Sequence, residues 1–150
     1  MNLEDDLYRE IILEHYKSKV NRGKVEDATA TSEGFNPSCG DDLELSIKVE
    51  DRIVSDIRYE GQGCSICCAS ADMLCDAVKG KTIEEARDLL ARFTGMLTDK
   101  QSPDFPDDAA DLEAMQGVKN FPVRIKCALL AWKTLEGMLD GKAANQEASP

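Results

Sequence analysis

Basic residues, histidine, aromatics and long apolar runs are all in short supply in this sequence. Lys and Arg number 18 against 29 Asp and Glu, for a formal net charge of −11. Nucleic-acid backbones are bound by basic patches that displace counterions, so this balance argues against nucleic acid as a partner. It suits a chain that docks on other proteins through local patches. No uninterrupted apolar stretch approaches membrane-spanning length, so no membrane association is expected. The opening Met1-Asn2-Leu3-Glu4-Asp5-Asp6 lacks the basic start and apolar middle of a signal peptide. A cytoplasmic location is therefore expected, a compartment in which thiols stay reduced. Histidine occurs once, as His15, on what reads as an apolar helix stripe. A packed residue is the simpler reading there, although histidine is otherwise a common metal ligand.

What the sequence does have is cysteine, six in 150 residues. In a reducing compartment these read as ligands, reactive thiols or core filler rather than as disulfides. A hydrophobic content of 42% and a charged content of 31% describe an ordinary soluble globular chain, long enough to bury a core. No internal repeat or domain linker interrupts it. One domain over residues 1–140 is expected, followed by a disordered tail, Gly141-Lys-Ala-Ala-Asn-Gln-Glu-Ala-Ser-Pro150.

Periodicity predicts the elements. Leu3, Leu7, Ile11 and His15 share a stripe of a helix over residues 3–17, with Asn2 as a cap. Residues 18–38 are polar and read as a long connecting loop. Leu43, Leu45, Ile47 and Val49 alternate, as do Ile53, Ser55, Ile57 and Tyr59, with Glu50-Asp51 supplying a turn. That is the pattern of an antiparallel hairpin with one buried face. Helices are predicted over 65–79 and, behind the capping box Thr82-Ile83-Glu84-Glu85, to about Leu97. A loop over 98–107 leads to a short acidic helix over 108–116. A last helix starts at Pro122, with Ile125, Leu129, Trp132, Leu135 and Leu139 on its apolar stripe and Leu130 and Met138 widening it.

Three segments concentrate chemistry. Asn36-Pro37-Ser38-Cys39-Gly40-Asp41 puts a thiol and a carboxylate two residues apart on a loop framed by Pro and Gly. Cys39 and Asp41 stand just before the first hairpin strand, and Gly61-Gln62-Gly63-Cys64 stands just after the second. Antiparallel pairing brings those ends together. Cys64 also opens a helix, where the dipole favours a thiolate. Arg124-Ile125-Lys126-Cys127 can complete the site, with Arg124 and Cys127 on one helix face. Three thiolates and a carboxylate suit tetrahedral zinc, and thiolates equally suit an iron–sulfur cluster. Arg124 could offset the negative charge of such a site, or be a surface charge of the helix. Cys64-Ser65-Ile66-Cys67 also matches a redox Cys-x-x-Cys, but the hairpin context lacks the parallel βαβ unit that motif requires. Cys67, Cys68 and Cys75 read as core filler, with a second ligand face on the Cys64, Cys68, Cys75 spacing as the alternative.

Asn36-Pro-Ser-Cys-Gly-Asp41, Gly61-Gln-Gly-Cys-Ser-Ile66 with Ala69-Ser70, and Arg124-Ile-Lys-Cys-Ala-Leu-Leu-Ala-Trp132 resemble the IscU/NifU N-terminal family of iron–sulfur assembly proteins, and within it the SufU branch. The resemblance runs from the first helix to about Leu139. Lys126 stands where scaffold-type members carry a histidine, the stretch around 95–117 is longer than theirs, and no Leu-Pro-Pro-Val-Lys motif occurs. The resemblance implies an α+β fold, a small antiparallel sheet with helices packed on one side. It implies zinc held by Cys39, Asp41, Cys64 and Cys127. It also implies a SufS-type cysteine desulfurase as partner, whose persulfide sulfur passes to Cys39 and on to downstream SUF assembly proteins. In that branch a histidine of the desulfurase is thought to take the place of the first cysteine, which frees it. A scaffold that assembles a [2Fe-2S] cluster on the same residues is the second reading, and a purely structural zinc domain the third. Cys67 and Cys68 depart from the small or apolar residues usual in the family at those positions.

Overall fold

A computed structural model describes residues 3–99, 101–141 and 144–147. Asn2, the expected cap of the first helix, lies outside them. The elements run α1 (Leu3–Lys17), β1 (Ala30–Asn36), β2 (Asp41–Glu50), β3 (Ile53–Gln62), α2 (Ser65–Val78), α3 (Ile83–Thr98), a 3-10 segment (Asp107–Asn120), α4 (Pro122–Leu139) and β4 (Ala144–Glu147). The expected α+β architecture is present, an antiparallel meander with helices over one face.

The β2–β3 hairpin follows the alternation at Leu43, Leu45, Ile47, Ile57 and Tyr59, which are buried, but near the turn it departs from it: Ile53 is 39% exposed and Val54 is buried in its place. Glu50 pairs with Ile53 across a two-residue turn. Asp51 and Arg52 both have positive φ, 52° and 62°, the mirror-image turn whose twist matches paired strands. A bulge between Lys48 and Val49 shifts the register.

Residues 30–36, expected in a loop, instead form β1, antiparallel to β2. Its buried positions are Ser32, Gly34 and Asn36, none of them an apolar strand former. The reason is a close approach. A Cβ at Gly34 would stand 2.3 Å from Thr134 Oγ1 and 3.2 Å from a Leu130 methyl, so only a glycine lets α4 lie this near the strand. The tail also differs from expectation. Residues 144–147 pair in parallel with β1, giving the order β3-β2-β1-β4. α4 ends at Leu139 and Gly141 has φ of 78°, which turns the chain back to the backbone groups that β2 leaves unpaired on β1. The other residues beyond Gly141 lie outside the described ones.

α4 is buried on most of its circumference and packs on β1, β2, α2, α3 and the 3-10 segment. Trp132 stacks on Phe93 of α3, ring centroids 4.1 Å apart, and its Nε1–H donates to Ser70 Oγ at 2.9 Å. Ser70 in turn donates to the Ala128 carbonyl at 2.6 Å. α2 and α4 are thereby locked side by side, which sets Cys64 at the head of one near Cys127 in the first turns of the other. Thr82 and Glu85 form the expected capping box of α3. The acidic stretch expected to be helical over 108–116 is a 3-10 segment over 107–120, broken by non-helical angles at Ala109.

On α1 the inner face is Tyr8, Ile11, Ile12 and His15, whereas Leu7 is 56% exposed. His15 is packed, as expected, and it is also ionic. Its Nδ1 lies 2.6 Å from Asp72 of α2 and its Nε2 lies 2.8 Å from Asp111 of the 3-10 segment. Asp72, itself buried, also takes a hydrogen bond from Asn21 Nδ2 at 3.0 Å. Burial opposes protonation of His15, but hydrogen bonds and charge from Asp72 and Asp111 outweigh it and raise the pKa to about 9. A raised folded-state pKa gives stability that is complete below the ordinary value of 6.5 and is lost as pH rises through about 9. His15→Gln should therefore lower the stability at pH 6 by roughly 1–2 kcal/mol allowing for solvent screening, and the melting temperature with it. That difference should vanish by pH 10 in paired thermal melts. A pH-independent difference would mean that packing, not charge, holds this junction.

Candidate metal centre

The β1–β2 turn, residues 37–40, carries the first donor. Gly40 has φ of 71°, which a side chain would resist, and the Cys39 amide donates to the Asn36 carbonyl at 3.2 Å. Asn36 and Asp41 are the last cross-strand pair before this turn. Both side chains therefore point to the same buried face, 1% and 2% exposed. Cys127 comes down on that face from α4. The Cys39, Asp41 and Cys127 donor atoms all lie within 4.8 Å of one another. Cys39 is half-buried and Cys127 fully buried.

Cys64 stands outside that mutual trio but beside it. Its amide donates to Asp41 Oδ1 at 2.9 Å, and its Sγ caps α2 by accepting the Cys67 amide at 3.4 Å. The two glycines before it are required by contact. A Cβ at Gly61, where φ is 122°, would stand 2.1 Å from the Asp42 carbonyl oxygen, and one at Gly63 would stand 2.9 Å from Asp41 Oδ1. Burial pushes the Cys127 thiol up from its ordinary value, as do its hydrogen bonds with Cys39, Asp41 and Cys64. Arg124 is exposed at the mouth. Its hydrogen bond to Cys127, and the charges of Cys64, Cys127 and Cys39, raise its own pKa further.

Sequence reasoning left one residue without a role. Asn36 Nδ2 donates to Asp41 Oδ2 at 3.2 Å and to Cys127 Sγ at 3.4 Å, while its buried Oδ1 has no partner among the described residues. An orphaned buried acceptor costs about 1–3 kcal/mol. The signal in the sequence was Asn36 itself, but its buried side could not be read until β1 was known to be a strand.

Cys67, Cys68 and Cys75 are buried, as the core-filler reading expects. Burial drives the Cys67 and Cys75 thiols well up from the usual range, and also raises that of Cys68. Burial disfavours the thiolate that nucleophilic attack requires. The strand ahead of Cys64 is antiparallel to its neighbour, so the parallel unit expected of a thioredoxin-type motif is missing there.

A family profile described as the NifU-like N terminal domain matches residues 7–128. The chain is similar to the zinc-dependent sulfurtransferase SufU of Bacillus subtilis, 46% identical over 132 residues that cover 88% of each chain. It is also similar to the iron–sulfur cluster assembly scaffold protein IscU of Thermotoga maritima, 40% identical over 89% of this chain and 92% of the other. A crystal structure from Fervidobacterium islandicum, described as an iron–sulfur cluster assembly scaffold protein for the SUF system, superposes with a TM-score of 0.77. It is 35% identical and covers 85% of this chain and 92% of its own. The N-terminal part of a NifU-like protein from Brucella abortus superposes with a TM-score of 0.81 at 23% identity and covers 95% of this chain and 100% of its own, a likeness of fold.

Proposed function

Because this chain belongs to the family of NifU-like N-terminal domains, we propose that it is a zinc-dependent sulfur acceptor. It takes sulfur from the persulfide of a SufS-type cysteine desulfurase onto Cys39 and hands it to downstream proteins of iron–sulfur cluster assembly in the cytoplasm. Zinc is held by Cys39, Asp41, Cys64 and Cys127.

The donor chemistry fits that ion. Sulfurs about 2.3 Å from a tetrahedral zinc stand about 3.8 Å apart, and Cys39, Asp41 and Cys127 already lie mutually within 4.8 Å. Zinc bound there would keep its cysteine ligands deprotonated without leaving them free to react. The chain's own residues decide which of them leaves. Asp41 is held at both oxygens, by the Cys64 amide and by Asn36, and Cys127 is buried against Asn36. Cys39 is half-buried on a four-residue turn, and among the described residues its sulfur takes no hydrogen bond from backbone or amide. That asymmetry is the observation that carries the reading.

In the transfer the Cys39 thiolate attacks the outer sulfur of the donor persulfide. The sulfur–sulfur bond of the donor breaks, its cysteine departs as a thiolate, and a new sulfur–sulfur bond forms on Cys39. No net oxidant is needed, because this is exchange between sulfurs. Arg124, at the mouth, balances the anionic sulfur as it arrives.

Desulfurase turnover with free cysteine and reductant tests the proposal. Adding the zinc-loaded protein should raise turnover strongly, and removing the zinc should abolish the rise. No stimulation, with iron and sulfide accumulating on the protein, would instead support the scaffold reading that the IscU relatives favour. Attention would then turn to Lys126, next to Cys127.

A further inference from the structure

Asn36 sits at the one point where β1, the Asp41 carboxylate and the first turns of α4 meet. It is 1% exposed, and its strand position faces the core. An apolar residue there would pack without leaving an orphan. The amide is kept with its carbonyl oxygen unpartnered, and both bonds of its NH2 group go to the Asp41 carboxylate and the Cys127 sulfur. Turning the amide over would set Oδ1 against those same two electron-rich groups, so its orientation is fixed by what it serves. The bridge spans 91 residues of sequence between Asn36 and Cys127. Asp41 Oδ1 is meanwhile taken by the Cys64 amide.

We infer that Asn36 is a positioning residue for the metal centre. It clamps Asp41 and Cys127 into one rigid pair that stays on the metal while Cys39 comes off. The inference rests on the zinc reading above. Its physical content is a division of labour within the ligand set. Two ligands are braced by one neutral donor, and Cys39 takes no hydrogen bond from that donor. A neutral amide suits this role better than a cation. It orients a carboxylate and a sulfur without cancelling the charge that attracts the metal. Loss of the brace frees Asp41 and Cys127 to move independently, so the metal escapes when Cys39 leaves.

The test is zinc affinity by chelator competition on the full chain, with Co²⁺ substituted for the sulfur-to-metal and d–d absorption bands. Asn36→Ala should lower zinc affinity by about 10–100-fold and shift the cobalt bands, with the melting temperature of the metal-free chain unchanged. In an Asp41→Ala background the same substitution should cost markedly less, because half of what the amide braces is already gone. Asn36→Leu keeps the volume but removes the donor without adding charge. It should weaken zinc binding about as much as Asn36→Ala, and it serves if the alanine variant does not fold.

Unchanged affinity and cobalt bands in both variants would overturn the inference while leaving the zinc reading intact. So would an equal loss with and without Asp41, or a metal-free chain destabilised as much as the loaded one. A parent chain that binds no zinc would overturn both.

Discussion

Cys39→Ala should take up no sulfur from a desulfurase persulfide and should leave desulfurase turnover at the level of the enzyme alone, yet without metal it should fold almost as well as the metal-free parent. The thiol is half-buried on a turn whose backbone is set by Pro37, Gly40 and the Cys39 amide bond to Asn36. None of these depends on the side chain. Removing one partly buried sulfur costs about 1 kcal/mol or less in packing. The chemical loss is complete, because the group that forms the new sulfur–sulfur bond is gone. The other cysteines are each held elsewhere: Cys64, half-buried like Cys39, caps α2 with its sulfur, which accepts the Cys67 amide at 3.4 Å. Cys127 is buried and pinned, and Cys67, Cys68 and Cys75 are buried with raised thiols. Labelled sulfur followed by mass spectrometry should place one added sulfur atom on the Cys39 peptide of the parent and none on the variant. Full stimulation of the desulfurase by Cys39→Ala would sink the exchange mechanism.

Cys127→Ala should do the reverse, losing the metal and much of the stability together. This thiol is 0% exposed and belongs to the core shared by sheet and helices. Its loss removes a ligand and leaves one Asn36 donor without its acceptor. Ligand binding to the native state stabilises it by about 4 kcal/mol when the ligand is a thousandfold above Kd. For a chain of this size that is about 10–15 °C of melting temperature. Thermal melts with and without zinc should differ by this amount for the parent and hardly at all for Cys127→Ala. A variant that keeps its zinc and its melting temperature would show that the ligand set has been misassigned.

Much of this site could be read before the fold was known, because it depends on local patterns. Clean alternation over 43–49 and 53–59 defined a hairpin, and a hairpin necessarily brings Cys39 and Asp41 near Cys64. The capping box at Thr82 and the stripe from Ile125 to Leu139 are equally local. What escaped was set by partners far along the chain. β1 has Ser32, Gly34 and Asn36 on its buried face because α4 lies against it, and no periodicity announces such a strand. His15 looked like a packed residue because Asp72 and Asp111 lie 57 and 96 residues away. β4 is made of Ala, Asn, Gln and Glu, and it pairs through backbone groups that β1 still had to offer. The contacts of Asn36 need β1, β2 and α4 at once, so no local pattern announces them.

The bridge from Asn36 to Cys127 also imposes an order on folding. The β1–β2–β3 meander and the head of α2 join residues close in sequence, so Cys39, Asp41 and Cys64 can come together early. Cys127 must wait for a contact closed across 91 residues, the slow kind of step in folding kinetics. On a ribosome, where a chain folds from its N-terminus onward, the three early donors emerge long before the fourth. If these four residues hold zinc as proposed, the incomplete set would hold it weakly and release it readily. On the proposed ligand set, tight binding would begin only once α4 has seated, and metal capture would report that docking.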